Sequence, residues 1–316
     1  MPRRIISLVP TTGVAVLAVA GLLAVVPTTS VGLQMGIGDN NPKMFGNPYY
    51  RLLHTTISRY VAPYDVADRP SDLAAVNAWI SAAEAQHVEP LIAFYHSRSQ
   101  PNNQLPGVAR YALEIKRFIT FHPQITVYSA WNEANRGTAP APGDGSIRGP
   151  SPSQSAGYYL ALKRACSRCT IVGLDVLDST NVASTVRYIH AFQRDVHGQL
   201  PSIWGLHNYS DTNRFRNQGT KAVLAAVRGQ VWLTETGGVV KFGSEFPNRY
   251  GSGLKRAKRA IAYAFKLAES NRRITRLYIF AWFGVANTAR FDAGLMDSHG
   301  KPRPSYAVVR EHLTSN

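Results

Sequence analysis

The chain has 316 residues, of which 45% are hydrophobic, 17% charged and 10% aromatic. This balance is that of a globular protein, and it excludes wholesale disorder, collagen-like repeats and coiled-coil structure. Lysine and arginine outnumber aspartate and glutamate by 35 to 19, which gives a formal net charge of +16. Such a charge bears on solubility and partners rather than on fold.

Residues 1–30 have the layout of an export signal. Arg3 and Arg4 precede a mainly apolar run over residues 5–26, and the segment contains no acidic residue. A basic start, an apolar middle and small residues at the end predict a signal peptide that is cleaved. Because about 20 apolar residues can span a bilayer, an uncleaved membrane anchor is the alternative. In either case, residues 31–316 are predicted to act outside the cytoplasm.

From residue 33 onward, short β-rich runs alternate with amphipathic stretches of helical period. The eight predicted strands are 33–38, 56–61, 90–95, 125–131, 170–175, 203–207, 231–234 and 276–282. The helical stretches that follow them are 42–54, 71–88, 108–121, 154–168, 181–196, 221–228, 254–272 and 305–313. This order predicts an α/β fold, a single (β/α)8 TIM barrel, for which about 250 residues is typical. We therefore expect one domain over residues 31–316.

An open, doubly wound sheet is the structural alternative to the barrel. Such a sheet needs a glycine-rich phosphate-binding turn after its first strand. The sequence Gly36-Ile37-Gly38 lacks the third glycine of that turn and runs into Asp-Asn-Asn-Pro. The pattern therefore favours the barrel.

Acidic side chains follow two of the predicted strands, and catalytic groups of such barrels lie at the carboxyl ends of the strands. Glu133 follows the fourth strand and Glu235 follows the seventh, and both strands are largely apolar or β-branched. Two carboxyl groups that face each other across a barrel mouth are what glycoside hydrolysis needs. One protonates the leaving oxygen, and the other attacks or stabilises the anomeric carbon.

The segments around both glutamates resemble motifs of clan A glycoside hydrolases. Residues 131–135, Trp-Asn-Glu-Ala-Asn, are similar to the acid/base motif, with Ala134 in place of the commoner proline. Residues 233–237, Leu-Thr-Glu-Thr-Gly, are similar to the nucleophile motif. The resemblance covers residues 33–313, and family 39-like members are nearest. It implies a (β/α)8 barrel that acts on a carbohydrate substrate.

The resemblance also implies roles around the two glutamates for Arg59, Asn132, His207, Tyr209 and Trp282. Asn132 is expected to bind the hydroxyl beside the anomeric carbon, and Trp282 to form the floor of the subsite. Arg59 and Tyr209 are expected to hold Glu235, the former by charge and the latter by a hydrogen bond. His207 is expected either to contact the substrate or to lie behind the residues that do.

These roles predict a retaining glycosidase that works by double displacement. Glu235 is expected to be ionised and to attack, whereas Glu133 is expected to begin protonated because Glu235 and Trp131 disfavour its charge. A catalytically silent barrel that only binds polysaccharide is one alternative. A transglycosylase that uses the same residues is another.

The remaining motifs bear on crosslinks, metals and partners. Cys166 and Cys169 are predicted to form a disulfide, because a zinc site needs two further ligands and the compartment is oxidising. No cofactor or metal is predicted, since the histidines show no ligand spacing of the usual kind.

The basic excess is spread along the predicted helices, most densely over residues 255–276. It indicates either a solvated surface or attraction to anionic polymers or lipid headgroups of the cell envelope. Nucleic acid is disfavoured because no binding motif accompanies the charge. We expect a monomer.

Overall fold

The computed structural model describes residue 1 and residues 32–101, 104–137, 147–286 and 288–314. Within these ranges the strands are, in chain order, β1 (Gln34–Gly38), β2 (Ile57–Pro63), β3 (Glu89–Tyr95), β4 (Val127–Ser129), β5 (Thr170–Leu177), β6 (Ile203–His207), β7 (Gln230–Thr236), β8 (Lys241–Phe242), β9 (Ile274–Phe280) and β10 (Phe291–Asp292). Strands β1 to β7 and β9 form a closed parallel barrel, and β8 pairs with β10 outside it. The predicted (β/α)8 barrel is confirmed.

Helices alternate with the barrel strands. They are α1 (Lys43–Gly46), α2 (Pro48–Arg51), α3 (Pro70–Glu84), α4 (Val108–Phe121), α5 (Pro152–Ala165), α6 (Val182–Asp195), α7 (Tyr209–Arg214), α8 (Gln218–Ala226), α9 (Ser252–Glu269) and α10 (Pro304–Thr314). The stretch predicted as one helix over 42–54 is two short helices. Pro48 has no amide hydrogen with which to continue α1, so it opens α2 instead, and the Asn47 side chain caps α2.

The barrel closes between β1 and β9, whose registers pair Gly38 with Phe280. All eight barrel strands run parallel, so their carboxyl ends meet at one mouth. Sequence patterns located each of these strands to within a few residues. They missed α7, which begins at Tyr209, two residues after β6 ends.

The interior of the barrel changes from apolar to polar toward that mouth. A separate apolar cluster takes one buried residue from each of six barrel strands: Ile57, Leu91, Val127, Val172, Trp232 and Tyr278. Side chains two residues apart on a strand share a face. Arg59 therefore follows Ile57 on the inner face of β2, and Ser129 follows Val127 on β4. A polar layer thus lies above the apolar cluster, next to the mouth.

The amino-terminal segment and the cysteine pair bear on two further predictions. Beyond residue 1, the predicted signal peptide or anchor over residues 1–30 lies outside the described residues. In the part of the chain that the structure describes, no helix has the length and apolar character needed to cross a membrane. Cys166 and Cys169 form a disulfide between the end of α5 and the start of β5, with 5.4 Å between their Cα atoms.

Candidate active site

The barrel mouth opens into a cavity of about 890 Å³ that is lined by both predicted catalytic glutamates. Glu133 lies in the turn after β4, and Glu235 lies near the end of β7. Three atoms lie within 4.8 Å of one another: a carboxylate oxygen of Glu133, a carboxylate oxygen of Glu235 and a ring nitrogen of His207. The fold therefore brings together two acids that are distant in the sequence.

The backbone at Glu133 has an unusual conformation. Its φ is +51°, in the left-handed region that residues other than glycine rarely adopt. The peptide groups on both sides hold it there. The Asn132 amide donates to the Phe94 carbonyl oxygen at 2.8 Å, and the Ala134 amide donates to the Asp175 carbonyl oxygen at 2.8 Å. Such conformations persist where the surrounding structure enforces them, and they are common at active sites.

Two cationic side chains contact the Glu133 carboxylate. Arg136 donates from Nη1 to Oε2 at 2.6 Å, and His207 Nδ1 lies 3.2 Å from Oε1. Burial alone would raise the pKa of Glu133, but the hydrogen bonds and charges of His207 and Arg136 outweigh burial and lower that pKa. The prediction that Glu133 begins protonated is therefore wrong for the unliganded protein. It overlooked Arg136, which lies three residues further along the chain.

Glu235 is held by the two residues that the sequence predicted. Arg59 donates from Nη1 to Oε2 of Glu235 at 2.8 Å, and the Tyr209 hydroxyl donates to Oε1 at 3.0 Å. Burial and the nearby charge of Glu235 raise the pKa of Tyr209, so this hydroxyl keeps its proton. Both contacts stabilise a negative charge on Glu235.

A buried network behind the two glutamates centres on Asp175, which is not among the predicted site residues. Its Oδ1 lies 3.2 Å from His207 Nε2 and accepts a hydrogen bond from Thr234 at 2.5 Å. Its Oδ2 lies 3.3 Å from Arg59 Nη2. Asp175 lies within β5, a mainly apolar strand. Glu133 and Glu235 were predicted because each carboxyl group accompanies an apolar strand. The same pattern could have indicated Asp175.

The charges around His207 determine its protonation state. Burial would lower the pKa of His207, but the carboxylates of Asp175 and Glu235 raise it to about 10. His207 is therefore an imidazolium at neutral pH. Its charge helps to hold Glu133 and Glu235 close together despite their mutual repulsion.

Glu133, His207 and Glu235 have donor atoms close enough for a metal ion. Their bonding argues against one. Arg59 and Arg136 already donate to the two carboxylates, and a protonated histidine has no lone pair to offer. A cation at this point would face three positive charges. The donor set therefore suits an ion-pair network rather than a metal.

The five residues predicted to bind substrate fall into three groups. Asn132 and Tyr209 line the cavity beside the glutamates. Arg59 and His207 are fully buried behind them, where they position carboxylates. The prediction that Trp282 forms the floor of the subsite is wrong: it is fully buried, does not line the cavity, and packs between Tyr50 and Tyr306.

The backbone after β9 explains the position of Trp282. Asp39 Oδ2 accepts hydrogen bonds from the backbone amides of Trp282 and Phe283, each at 3.0 Å. These bonds fix the turn, and the Trp282 ring packs away from the mouth. Phe280, the last residue of β9, lines the cavity instead.

No protein-family model and no curated protein sequence matches this chain. Solved structures with a similar fold include xylanase 10B from Thermotoga maritima, at 13% identity and a TM-score of 0.61, with 90% of this chain and 96% of that one covered. They also include a GH5_18 protein from Streptomyces cattleya, in complex with GlcNAc, at 13% identity and a TM-score of 0.61, with 90% and 80% covered.

A third similar structure is a GH10 protein from Paenibacillus barcinonensis, at 10% identity and a TM-score of 0.61, with 89% of this chain and 95% of that one covered. At these identities, the likeness shows the barrel fold alone. None of the three proteins is described as a family 39 enzyme, so that finer resemblance stays a prediction.

Proposed function

We propose that this protein is a retaining glycoside hydrolase that acts on a carbohydrate outside the cytoplasm. The proposal depends on one observation: carboxylate oxygens of Glu133 and Glu235 approach within 4.8 Å at the barrel mouth. Retaining enzymes hold their two carboxyl groups about 5–5.5 Å apart, whereas inverting enzymes leave about 6.5–9.5 Å for a water molecule. The glycosidase folds of the similar structures support the same reaction class.

In the first step, Glu235 attacks the anomeric carbon while Glu133 gives a proton to the departing glycosidic oxygen. The bond from the anomeric carbon to that oxygen breaks, and an ester to Glu235 forms. Arg59 and Tyr209 orient the attacking carboxylate, since each donates a hydrogen bond to one of its oxygens. Tyr209 also keeps its proton throughout, because burial raises its pKa.

In the second step, Glu133 takes a proton from a water molecule, and the resulting hydroxide attacks the anomeric carbon. The ester bond to Glu235 breaks, which restores both carboxyl groups and leaves the sugar with its original anomeric configuration. Asn132 lines the cavity beside Glu133 and is assigned to a hydroxyl of the bound sugar. Its own Oδ1 accepts from Arg59 at 2.5 Å, which fixes the amide.

The lowered pKa of Glu133 sets a condition on the first step, because a general acid must carry a proton. In the proposed reaction the glycosidic oxygen replaces Arg136 as the partner of Glu133. The Arg136 side chain is 46% exposed, so solvent can accommodate its movement. Loss of that ion pair removes one of the two interactions that lower the pKa of Glu133, the larger being that with His207, and so favours uptake of a proton.

The test is the stereochemistry of the first product. We would incubate the protein with nitrophenyl glycosides of xylose, glucose, mannose and N-acetylglucosamine and follow the released sugar by proton NMR. The expected first product has the anomeric configuration of the substrate. An inverted first product would contradict the retaining mechanism, and sugar binding without hydrolysis across the panel would favour the catalytically silent barrel. Products that grow longer when acceptor sugars are added would indicate transglycosylation.

Location and partners stay predictions. The basic start and apolar run of residues 1–30 support export, and the net charge of +16 supports association with anionic envelope polymers or membrane surfaces. Sequencing the amino terminus of the protein recovered from the cell envelope and from the medium tests both the export and the cleavage. Full-length protein in the cytoplasm would contradict them.

A further inference from the structure

Five phenylalanines line one side of the cavity: Phe242, Phe246, Phe280, Phe283 and Phe291. All are partly exposed. Phe291 is at the centre of this set, which we call the phenylalanine wall. Its ring centroid lies 5.8 Å from that of Phe242, 6.2 Å from that of Phe280 and 5.9 Å from that of Tyr209. The wall therefore extends to Tyr209, whose hydroxyl donates to Glu235.

The wall is built into the fold. Strands β8 and β10 pair antiparallel, and their register sets Phe242 opposite Phe291. Phe242 also exchanges two backbone hydrogen bonds with Phe246, at 2.9 and 3.0 Å. Arg303 anchors β10 through two bonds to Asp292, at 2.8 and 2.7 Å. Backbone pairing and a buried ion pair thus hold the aromatic rings at the cavity.

Three polar side chains on this side, those of Asp39, Asn40 and Asp292, are already engaged within the protein. Asp39 accepts from the backbone amides of Asn41, Trp282 and Phe283. Asn40 exchanges two hydrogen bonds with the backbone of Val61, at 2.8 and 2.9 Å, and both oxygens of Asp292 accept from Arg303. These three side chains have little hydrogen-bonding capacity left for a ligand. A hydroxyl group desolvated against the wall would lose its hydrogen bonds to water without compensation.

From these observations we propose that the substrate carries an apolar group, alkyl or aryl, that packs against Phe242, Phe280 and Phe291. This proposal rests on the proposed hydrolase function. Removing apolar surface from water is favourable in proportion to its area, and a hydrocarbon loses no hydrogen bonds at such a wall. The sugar ring lies at the glutamates, where Asn132 and Tyr209 provide polar groups. The substrate is thus an amphiphilic glycoside.

The apolar group can be attached on either side of the scissile bond. It is the leaving group in an alkyl or aryl glycoside, and it is part of the sugar that Glu235 attacks in an acylated glycoside. Both kinds of substrate would place a hydrocarbon group at the wall, so the experiment has one arm for each attachment. Tyr209 joins the wall to the nucleophile, so in both cases the apolar group begins one ring away from Glu235.

The test measures binding without turnover, by titration calorimetry on the full chain that carries Glu235→Gln. In one arm, methyl and hexyl β-glycosides of glucose, xylose, mannose and N-acetylglucosamine are compared. In the other arm, the methyl glycosides are compared with their hexanoyl esters. We expect at least about tenfold tighter binding of the hexyl or hexanoyl compound in one arm, since each fully buried methylene is worth about fourfold.

Two variants at one position test whether the wall provides this gain. Phe291→Gln should abolish the gain, whereas Phe291→Leu should keep most of it, because leucine is apolar. Phe121→Ala removes a phenylalanine that is 55% exposed on α4 and does not line the cavity, and it is the matched control. Circular dichroism confirms that each variant is folded.

The outcomes separate this inference from the hydrolase proposal, because hydrolysis is measured independently with the unmodified protein. Hydrolysis without any gain from the hexyl or hexanoyl group would overturn the apolar subsite and leave the hydrolase standing. A chain-dependent gain without hydrolysis of any substrate would overturn the hydrolase proposal but not the apolar site. Equal loss of the gain in Phe291→Leu and Phe291→Gln would also count against the wall.

Discussion

The two sides of the cavity are built in different ways. On the side of β2 to β7, charged groups hold one another: Arg59 contacts Glu235, His207 contacts Glu133, and Asp175 holds Arg59 and His207 from behind. On the side of β8 to β10, aromatic rings are held by backbone pairing, and Asp39 and Asp292 accept hydrogen bonds from within the protein. The first side is equipped to move protons and stabilise charge, and the second to exclude water. Their junction is Tyr209, which touches both.

On the polar side, the largest loss of activity is expected when the nucleophile is replaced. Replacing Glu235 by glutamine removes the group that forms the glycosyl ester, so we expect kcat to fall by about 10⁴-fold or more on every substrate. The measurement is hydrolysis of the nitrophenyl glycoside that proves most active. Glu245→Gln, an exposed glutamate that also lines the cavity, is the matched control. Residual activity within tenfold of the unmodified protein would contradict the assignment.

Replacing Glu133 by alanine should give a smaller loss that depends on the substrate. A general acid contributes about 10²–10⁴-fold, and the contribution is largest when the leaving group is a poor one. We expect a loss of that size on alkyl glycosides and a far smaller loss of the bond-breaking rate on dinitrophenyl glycosides. The ratio of the two losses is the measurement. A uniform loss on both substrates would indicate that Glu133 does not protonate the leaving group.

The contrast between the two sides also explains what the sequence could predict. Glu133, Glu235 and Tyr209 lie at or just after the ends of apolar strands, and parallel strands of a barrel share one mouth. The local sequence pattern was therefore enough to predict that these three residues share one site. Phe242 and Phe291 are brought together only by the pairing of β8 with β10, two short strands without a local signal of their own. Trp282 was misplaced for a related reason, because bonds to Asp39 from another part of the chain set its direction.

Asp175 should matter more for stability than any exposed carboxylate. Asp175→Asn removes the buried negative charge that faces Arg59 and His207, and breaking a buried ion pair typically costs about 3–5 kcal/mol. We expect a loss of about 3 kcal/mol in the free energy of unfolding at neutral pH, measured by urea denaturation. Glu84→Gln, an exposed change on α3, should stay within about 0.5 kcal/mol. A loss no larger than that of the control would show that the network tolerates the missing charge.

The smallest expected effect is a shift in pH dependence caused by Arg136. Against the effect of burial, His207 and, to a smaller extent, Arg136 lower the pKa of Glu133. Glu133 must be protonated to act as an acid, so the basic limb of kcat/KM follows its deprotonation in the free enzyme. Removing the positive charge in Arg136→Leu raises the pKa of Glu133, and the basic limb therefore moves to higher pH. His207, with a pKa of about 10, stays charged over the neutral range and does not produce this limb.

A charge-conserving variant separates this electrostatic effect from a structural one. Arg136→Lys keeps the positive charge beside Glu133, so its basic limb should stay close to that of the unmodified protein. Arg136→Leu should shift the limb upward and keep the retaining stereochemistry, because Arg136 does not contact Glu235 through any hydrogen bond between described residues. A limb that stays in place in Arg136→Leu, or moves to lower pH, would show that the ion pair with Arg136 does not control the proton on Glu133. The acid would then be controlled from the buried side of the cavity, through His207 and Asp175.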